Sequence, residues 1–219
     1  MSAILRSVLL TAVLVAIGCS QSGYPIFCAV SVDDSPTKGL DSAWATVVVF
    51  SDFQCPYCGN AASTLAELEG EYDESDLRIV FKHLPLSFHE HAMDAAIAAE
   101  CAHEQGLFWE MHDLLFANQD ELDADSLAGY AATAGLDVDL WETCRTSQAP
   151  RDRIAADREL ATAARVPATP TFFINGEPLV GSQPLDDLVD AVDDALEKAR
   201  DSESAAETYY ETLTQLECE

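Results

Sequence analysis

The sequence predicts an α/β fold that carries an inserted all-α domain, and three observations support this class. A strand, a helix and a second strand follow one another between residues 44 and 86, which is typical of a βαβ unit with parallel strands. Residues 89–165 show successive helical patterns. Two short strands then flank Asn175-Gly176, a strong signal for a two-residue β-hairpin turn. The helical domain therefore separates two halves of the α/β frame.

The first half of the frame, residues 43–88, starts with an apolar and β-branched run at 44–50 that is typical of a buried strand. Helical spacing follows, and this helix should end between residues 70 and 76. The alternating segment 77–86 predicts the second strand. Lys82 lies in that strand, and we expect its amine to extend to the surface rather than to remain a buried charge.

Glycine, proline and turn residues divide the remainder of the chain. In the inserted domain, residues 89–165, helical patterns lie at 91–104, 108–118, 126–134 and 139–164, the last interrupted near Pro150. The second half of the frame, residues 166–200, holds strands at 171–174 and 177–180 and an amphipathic helix at 184–200. The tail, residues 201–219, is acidic and could extend as helix around 209–216.

The N-terminus has the features of an export signal. Residues 1–18 contain one basic residue, Arg6, followed by an apolar stretch that is short for a membrane span. The end of this stretch, V-A-I-G-C, resembles the bacterial lipobox, in which cleavage precedes a cysteine that then carries lipid. Cys19 would be that cysteine, although Ala16 replaces the usual larger aliphatic residue, and ordinary secretion is the alternative. We expect residues 19–42 to form a tether, with an edge strand near 28–32, and the protein to reach the bacterial periplasm or cell envelope.

The charge of the chain argues against some partners. Acidic residues number 39 and basic residues 11, for a formal net charge of -28. Nucleic acids and anionic lipid head groups need a basic surface that replaces their counterions, so neither is an expected partner. A solvated acidic surface is the simplest interpretation of this charge.

Export changes the meaning of the seven cysteines, because thiols outside the cytoplasm tend to pair. If Cys19 is acylated, six cysteines remain, an even number that can pair completely. Connectivity cannot be derived from the sequence, but Cys101 and Cys144 both lie in helical segments of one region, and we expect them to form a disulfide. Cys28 and Cys218, near the two ends of the chain, are the remaining pair.

Cys55 and Cys58 form a Cys-x-x-Cys motif that has three interpretations. A structural zinc site needs four ligands, and the chain has no second Cys-x-x-Cys, so we expect no metal even though His89 and His91 could contribute ligands. A permanent structural disulfide would close a very short loop and stabilise the protein little. The third interpretation is a redox-active pair.

The position of the motif favours the redox interpretation. Cys55 is placed at the first turn of a helix, where unpaired backbone N–H groups and the helix dipole favour thiolate over thiol. Pro56 suits the first helical turn, and Cys58 follows one turn later on the same side. We expect Cys55 to be the exposed nucleophile that forms a mixed disulfide, and Cys58 the more buried cysteine that resolves it.

A second stretch, V-P-A-T-P-T-F-F-I-N-G, places Pro170 directly before an apolar strand, where proline cannot donate to the strand ladder. The order of F-S-D-F-Q-C-P-Y-C, the helical segment A-A-E-C-A-H-E-Q-G-L-F-W-E-M-H-D-L-L-F and T-P-T-F-F-I-N-G resembles the DsbA-like branch of the thioredoxin superfamily. The resemblance implies a thioredoxin fold with an inserted helical domain. It also implies a cis Pro170, with Thr169 beside Cys55 where its backbone could pair with an extended client, and a potential tuned by Pro56 and Tyr57.

The function implied by this resemblance is that of an exported thiol-disulfide oxidoreductase that forms disulfides in envelope proteins. Its partners would be protein thiols and a membrane protein that re-oxidises it, with no cofactor. The isomerase relatives carry a separate dimerisation domain, which has no counterpart between Cys19 and the fold, so we expect a monomer. A reductase or isomerase remains an alternative, because Pro56-Tyr57 differs from the Pro-His of the strongest oxidant and Thr169 also fits isomerase relatives.

A different class of function stays open as well. A non-catalytic envelope protein could hold a metal or a partner through His89, His91 and the cysteines. Three aromatic residues beside the predicted strands could line a client groove, although such residues more often belong to the core: Phe53, Phe172 and Phe173.

Overall fold

The computed structural model describes residues 29–202 and 205–214. Three predictions lie outside this part of the chain: the signal segment 1–18, lipidation of Cys19, and the pairing of Cys28 with Cys218. Within the described ranges, no helix is long and apolar enough to cross a bilayer.

A five-stranded sheet forms the centre of the fold, in the order β1-β3-β2-β4-β5. The strands are β1 (Thr37–Lys38), β2 (Ala45–Ser51), β3 (Leu77–His83), β4 (Thr171–Ile174) and β5 (Glu177–Val180). As predicted, β2 and β3 are parallel, with Ala45 opposite Leu77 and Ser51 opposite His83. The other three pairs are antiparallel.

The β4–β5 hairpin turns at Asn175 and Gly176, whose φ angles of 45° and 94° suit this dipeptide. The Asn175 side chain accepts a hydrogen bond from Thr46 N at 2.8 Å and donates to Trp44 O at 2.9 Å. The hairpin is therefore tied to the start of the central strand.

Eight helices lie in the described part of the chain. They are α1 (Pro56–Glu69), α2 (Ala92–His103), α3 (Phe108–Ala117), α4 (Ala124–Thr133), α5 (Val138–Thr146), α6 (Ala149–Ala163), α7 (Leu185–Arg200) and α8 (Ala206–Thr214). Helices α2 to α6 come between β3 and β4 and form the inserted domain. The predicted interruption near Pro150 is the break between α5 and α6, and Pro150 lies in the first turn of α6, where its missing N–H costs nothing.

The inserted domain is joined internally by a disulfide. Cys101 on α2 and Cys144 on α5 are bonded, with their Cα atoms 5.7 Å apart. Beside them, Trp141 is fully buried and its indole donates to Ala98 O at 2.9 Å. These contacts fix α5 against α2.

Alternating side chains of the strands divide the core between the two faces of the sheet, as the pleat requires. One face carries Val47, Val49 and Phe81 and packs into the main core with α1, α7 and the inserted helices. The other face carries Val48, Phe50, Val80 and Phe173 and packs against Ala161 of α6 and Tyr210 of α8. Helix α6 therefore covers the face opposite the main core.

Two stretches differ from the sequence expectations. The fold includes part of the segment assigned to a tether, because Val30 is fully buried and β1, not residues 29–32, forms the edge strand beside β3. The expectation for Lys82 is wrong: its side chain is 4% exposed, and Nζ lies 3.1 Å from Asp157 Oδ1. Helix α6 covers this end of β3 and supplies the carboxylate, so the lysine is paired inside the protein.

Candidate active site

The two cysteines of the motif lie where β2 passes into α1. Cys55 is the N-cap of α1, with extended backbone angles, and its carbonyl accepts the first helical hydrogen bonds from Cys58 N at 3.0 Å and Gly59 N at 3.2 Å. Pro56 occupies the first turn without leaving a donor unsatisfied. This geometry places both sulfurs at the positive end of the helix dipole.

The environment of Cys55 stabilises its thiolate. A hydrogen bond from the Cys58 side chain is the main cause; burial opposes it, and the Thr169 side chain and backbone N–H groups of α1 add to it. Together they lower the pKa of Cys55 to about 5. At neutral pH this sulfur is therefore an ionised nucleophile and a good leaving group.

Cys58 has the opposite environment. Burial raises its pKa far above the usual thiol value, and the neighbouring Cys55 raises it further. The Ser51 side chain and the backbone of Asp52, whose N–H donates to Cys58 Sγ at 3.4 Å, only partly offset this. The two sulfurs therefore differ in kind, with one thiolate and one protonated thiol that can donate to it.

Both thiols are free and both are buried. Cys55 is 4% exposed and Cys58 1%, so the order of burial is as expected but Cys55 is less exposed than its proposed role suggested. The reason is the Thr169–Pro170 segment, whose carbonyl oxygen at Thr169 lies 3.6 Å from Cys55 Sγ. A client must therefore reach the sulfur along this segment.

The Thr169–Pro170 peptide bond is cis, and the segment enters β4 directly afterwards. The Thr169 hydroxyl is buried and has no hydrogen-bond partner of good geometry among the described residues. The Thr169 side chain lowers the pKa of Cys55, so this hydroxyl can donate to a thiolate there. The structure thus brings Thr169, Pro170 and Cys55 together, as the resemblance implied.

Other residues of the site were not singled out from the sequence. Gln119, two residues after the end of α3, donates through Nε2 to the carbonyls of Phe53 and Cys55, both at 2.8 Å. A Cβ on Gly59 would meet Gln119 Oε1, so a side chain at that position would push this amide away from its two acceptors. No local pattern marks Gln119, because its role depends on how the inserted domain docks.

Asp52 is the second such residue. Its buried carboxylate accepts hydrogen bonds from Gln54 N and Leu86 N and contacts His89 Nδ1 at 2.7 Å. His89 therefore points at a carboxylate rather than toward a metal ligand set. No group of three or more His, Cys, Asp or Glu side chains is arranged to hold a metal in the described part of the chain.

The aromatic residues near the site divide into core and surface. Phe53, Phe172 and Phe173 are at most 1% exposed and belong to the core. Tyr57, between the two cysteines, is 64% exposed, and Phe88, next to His89 in the loop that contacts Asp52, is 77% exposed. Phe88 packs edge-on against His89, with 4.6 Å between the ring centroids. A single phenylalanine in the polar stretch S-F-H-E-H was the available signal for it.

Three solved structures share this architecture. A thioredoxin-like oxidoreductase from Silicibacter pomeroyi aligns with 75% of this chain and 94% of its own, at a TM-score of 0.69 and 27% identity. A periplasmic thioredoxin-like protein from Salmonella enterica covers 77% of this chain and 94% of its own, at a TM-score of 0.67 and 26% identity. Wolbachia pipientis alpha-DsbA1 covers 78% of this chain and 94% of its own, at a TM-score of 0.70 and 20% identity, and this similarity supports the fold.

A curated relative, a Na(+)/H(+) antiporter NhaA 3 from Salinispora tropica, is 41% identical over 185 residues. The match covers 84% of this chain and 28% of the antiporter, so the similarity concerns one segment of that longer protein.

The family model described as thioredoxin, Thioredoxin_4, matches residues 31–194, which include both cysteines and the Thr169–Pro170 segment. The chain therefore belongs to the thioredoxin family, and its fold is similar to that of alpha-DsbA1.

Proposed function

We propose that this protein is an exported thiol-disulfide oxidoreductase that forms disulfides in proteins of the bacterial cell envelope. The observation that carries the proposal is the placement of two free thiols at the N-terminus of α1 beside the cis Thr169–Pro170 bond. There the two sulfurs contrast, because the pKa of Cys55 is lowered and that of Cys58 is raised. Such a contrast is expected of an exchange pair, because one sulfur must attack and leave easily while the other closes the ring.

In the proposed cycle the oxidised protein holds a Cys55–Cys58 disulfide. A client thiolate attacks Cys55 Sγ, and Cys58 leaves with the electron pair of the broken bond and takes up a proton. A second client thiolate then attacks the client sulfur of this mixed disulfide, and Cys55 leaves as a thiolate. The client has lost two electrons and gained a disulfide, and the cysteine pair is reduced.

The direction of electron flow follows from the stability of the reduced form. A Cys55 thiolate that is stabilised in the folded protein favours the reduced pair and makes the disulfide a stronger oxidant. This supports an oxidase over a reductase. A quinone-linked membrane partner would accept the two electrons and restore the Cys55–Cys58 bond.

Two features support a protein client. The Thr169 carbonyl beside Cys55 can accept a hydrogen bond from the backbone of an extended chain, as edge-strand recognition does. Exposed rings at Tyr57 and Phe88 offer apolar contact to unfolded segments. Export rests on the signal pattern of residues 1–18 and on the periplasmic relative, and anchoring through Cys19 and a monomeric state stay predictions.

The assigned roles are tested by trapping. With a client that carries a disulfide, Cys55→Ser should abolish exchange, whereas in Cys58→Ser the Cys55 thiolate should attack the client bond, release one client sulfur as a thiolate and accumulate a mixed disulfide that non-reducing electrophoresis and mass spectrometry detect. If Cys58→Ser accumulates no mixed disulfide while Cys55→Ser does, the roles are reversed. Reduction of a client disulfide in preference to oxidation of its thiols would favour the reductase.

A further inference from the structure

Asp52 is bound to both cysteines through its backbone. Its N–H donates to Cys58 Sγ at 3.4 Å, and its carbonyl accepts from Cys55 N at 3.1 Å. No side chain of Asp52 takes part in these contacts. The backbone of this one residue therefore contacts the Cys58 sulfur directly and holds the start of α1 at Cys55.

The Asp52 side chain fixes this backbone to a second loop. Oδ1 accepts from Gln54 N at 2.7 Å, Oδ2 accepts from Leu86 N at 2.8 Å, and Oδ2 lies 2.7 Å from His89 Nδ1. The carboxylate is 0% exposed, whereas the His89 side chain keeps 18% exposure. Both oxygens are thus occupied by donors that lie away from the sulfurs.

Further bonds join the same two loops. Leu84 N donates to Ser51 O at 2.8 Å, and His91 N donates to Gln54 Oε1 at 2.7 Å. Residues 84–91 therefore run beside residues 51–54, with the Asp52 carboxylate between them. Phe88 belongs to this loop, and its ring packs against the His89 ring.

A buried carboxylate is an unexpected neighbour for a site that must stabilise a thiolate, because like charges repel and burial of a charge is costly. An apolar residue at position 52 would avoid both costs. It would also leave two backbone N–H groups of irregular loops without an acceptor in the interior. The cost of the charge is consistent with a need to hold this loop in one conformation.

We propose that Asp52 is a positioning residue for the thiol pair and that His89 holds the Asp52 carboxylate in place. The proposal rests on the proposed function and deepens it. Neither side chain touches a reacting sulfur. Each acts through the Asp52 backbone, and the Cys58 thiol can donate to the Cys55 thiolate only while that backbone is fixed.

The test is a thiolate titration of the reduced protein, followed by absorbance at 240 nm with the oxidised protein as blank, for Asp52→Asn, His89→Ala and His89→Asn. Asn at position 52 keeps the shape but replaces one acceptor by a donor. We expect Asp52→Asn and His89→Ala to raise the Cys55 midpoint by about one pKa unit, because the lost loop position outweighs the removal of a negative charge in Asp52→Asn. A lowered midpoint in Asp52→Asn would mean that the carboxylate acts by its charge and would overturn the positioning role. His89→Asn keeps a donor near the position of Nδ1 and should restore the wild-type midpoint.

Asp157→Asn is the matched control. Asp157 is also a buried carboxylate that accepts from a backbone N–H, of His83 at 2.8 Å, and faces a cationic side chain, Lys82. Asp157 lies on α6, so Asp157→Asn should lower the free energy of unfolding without moving the Cys55 midpoint. An equal shift in Asp157→Asn, or no shift in Asp52→Asn and His89→Ala, would overturn the proposal. If Asp52→Asn does not fold, the two His89 variants decide the question.

The titration separates this proposal from the proposed function. It reads the sulfur directly and needs no client, so a wild-type protein that fails to oxidise any client would refute the oxidase function and leave the positioning result intact. Conversely, the wild type could exchange disulfides with clients at a normal rate while the Cys55 midpoint stays unchanged in the variants. That result would refute only the role of Asp52 and His89.

Discussion

Cys55 Sγ lies 3.6 Å from the carbonyl oxygen of Thr169, although the inserted helical domain separates the two residues in the chain. The contact exists because β2 and β4 are neighbours in the sheet, so that the loop after one strand meets the loop before the other. A client that reaches the sulfur therefore meets a backbone acceptor at the same place.

The ionisation of Cys55 makes the stability of the reduced protein depend on pH. The folded pKa, about 5, is below the unfolded value, so the stabilisation is complete above the unfolded pKa and is lost as the pH falls through 5. The raised pKa of Cys58 has no effect in the window from pH 5 to 7. The free energy of unfolding of the reduced wild type, relative to Cys55→Ser, should rise by about 2 kcal/mol between pH 5 and pH 7.

Urea unfolding at each pH under reducing conditions measures this difference, and the oxidised protein serves as the control because its sulfurs do not titrate. A difference that stays constant from pH 5 to pH 7 would mean that Cys55 is an ordinary thiol.

Removal of the Thr169 hydroxyl should weaken the thiolate. Thr169→Val keeps the shape of the side chain but takes away the donor that faces Cys55, so the Cys55 pKa should rise by about one unit and the reduction potential fall by about 30 mV. Equilibration with glutathione measures the potential. Thr171→Val is the control, since that hydroxyl donates to Ala168 O at 2.7 Å; equal shifts in both variants would rule out a specific role for Thr169.

Phe88 should contribute to the binding of unfolded clients but not to the chemistry. Phe88→Ala removes a ring that is 77% exposed, so folding should be unaffected while KM for a reduced unfolded protein rises about fivefold, for roughly 1 kcal/mol of apolar contact. The exchange rate with glutathione should not change. Leu140→Ala, which truncates an exposed side chain on α5, is the control, and a similar rise in KM there would contradict a localised client surface.

The Cys101–Cys144 disulfide should stabilise the inserted domain without taking part in exchange. The bond closes a loop of sequence separation 43, for which loop entropy predicts up to about 4 kcal/mol. Cys101→Ala with Cys144→Ala should therefore lower the free energy of unfolding of the oxidised protein by about 2–4 kcal/mol. Client oxidation at a temperature where the variant is folded should be unchanged, and a lost or reversed activity there would show a redox role for this bond.

The sequence was a good guide where the signal is local. Hydrophobic periodicity and turn residues predicted four of the five strands, all but β1, and they also predicted the helix break at Pro150. Both signals act over a few residues, because they come from side-chain alternation and backbone restrictions. The motif position also predicted the helix N-terminus at Cys55, since Pro56 marks a first turn.

Contacts between loops could not be predicted in this way. Asp52 meets His89 only because residues 84–91 fold back beside the β2–α1 loop, and Gln119 reaches Cys55 O only after the inserted domain docks on α1. Lys82 was misjudged for the same reason, since its partner Asp157 belongs to a helix 75 residues further along the chain, and no pattern around Lys82 indicates it.

The reduction potential of the Cys55–Cys58 pair tests the central claim most directly. The soluble fragment without Cys19 is equilibrated with glutathione buffers at pH 7, and free thiols are counted by mass after alkylation. We expect a value toward the oxidising end of the thioredoxin superfamily, near about -120 mV, because the Cys55 thiolate stabilises the reduced form. A value near about -270 mV, typical of a reductase, or a pair that does not titrate with glutathione, would contradict it.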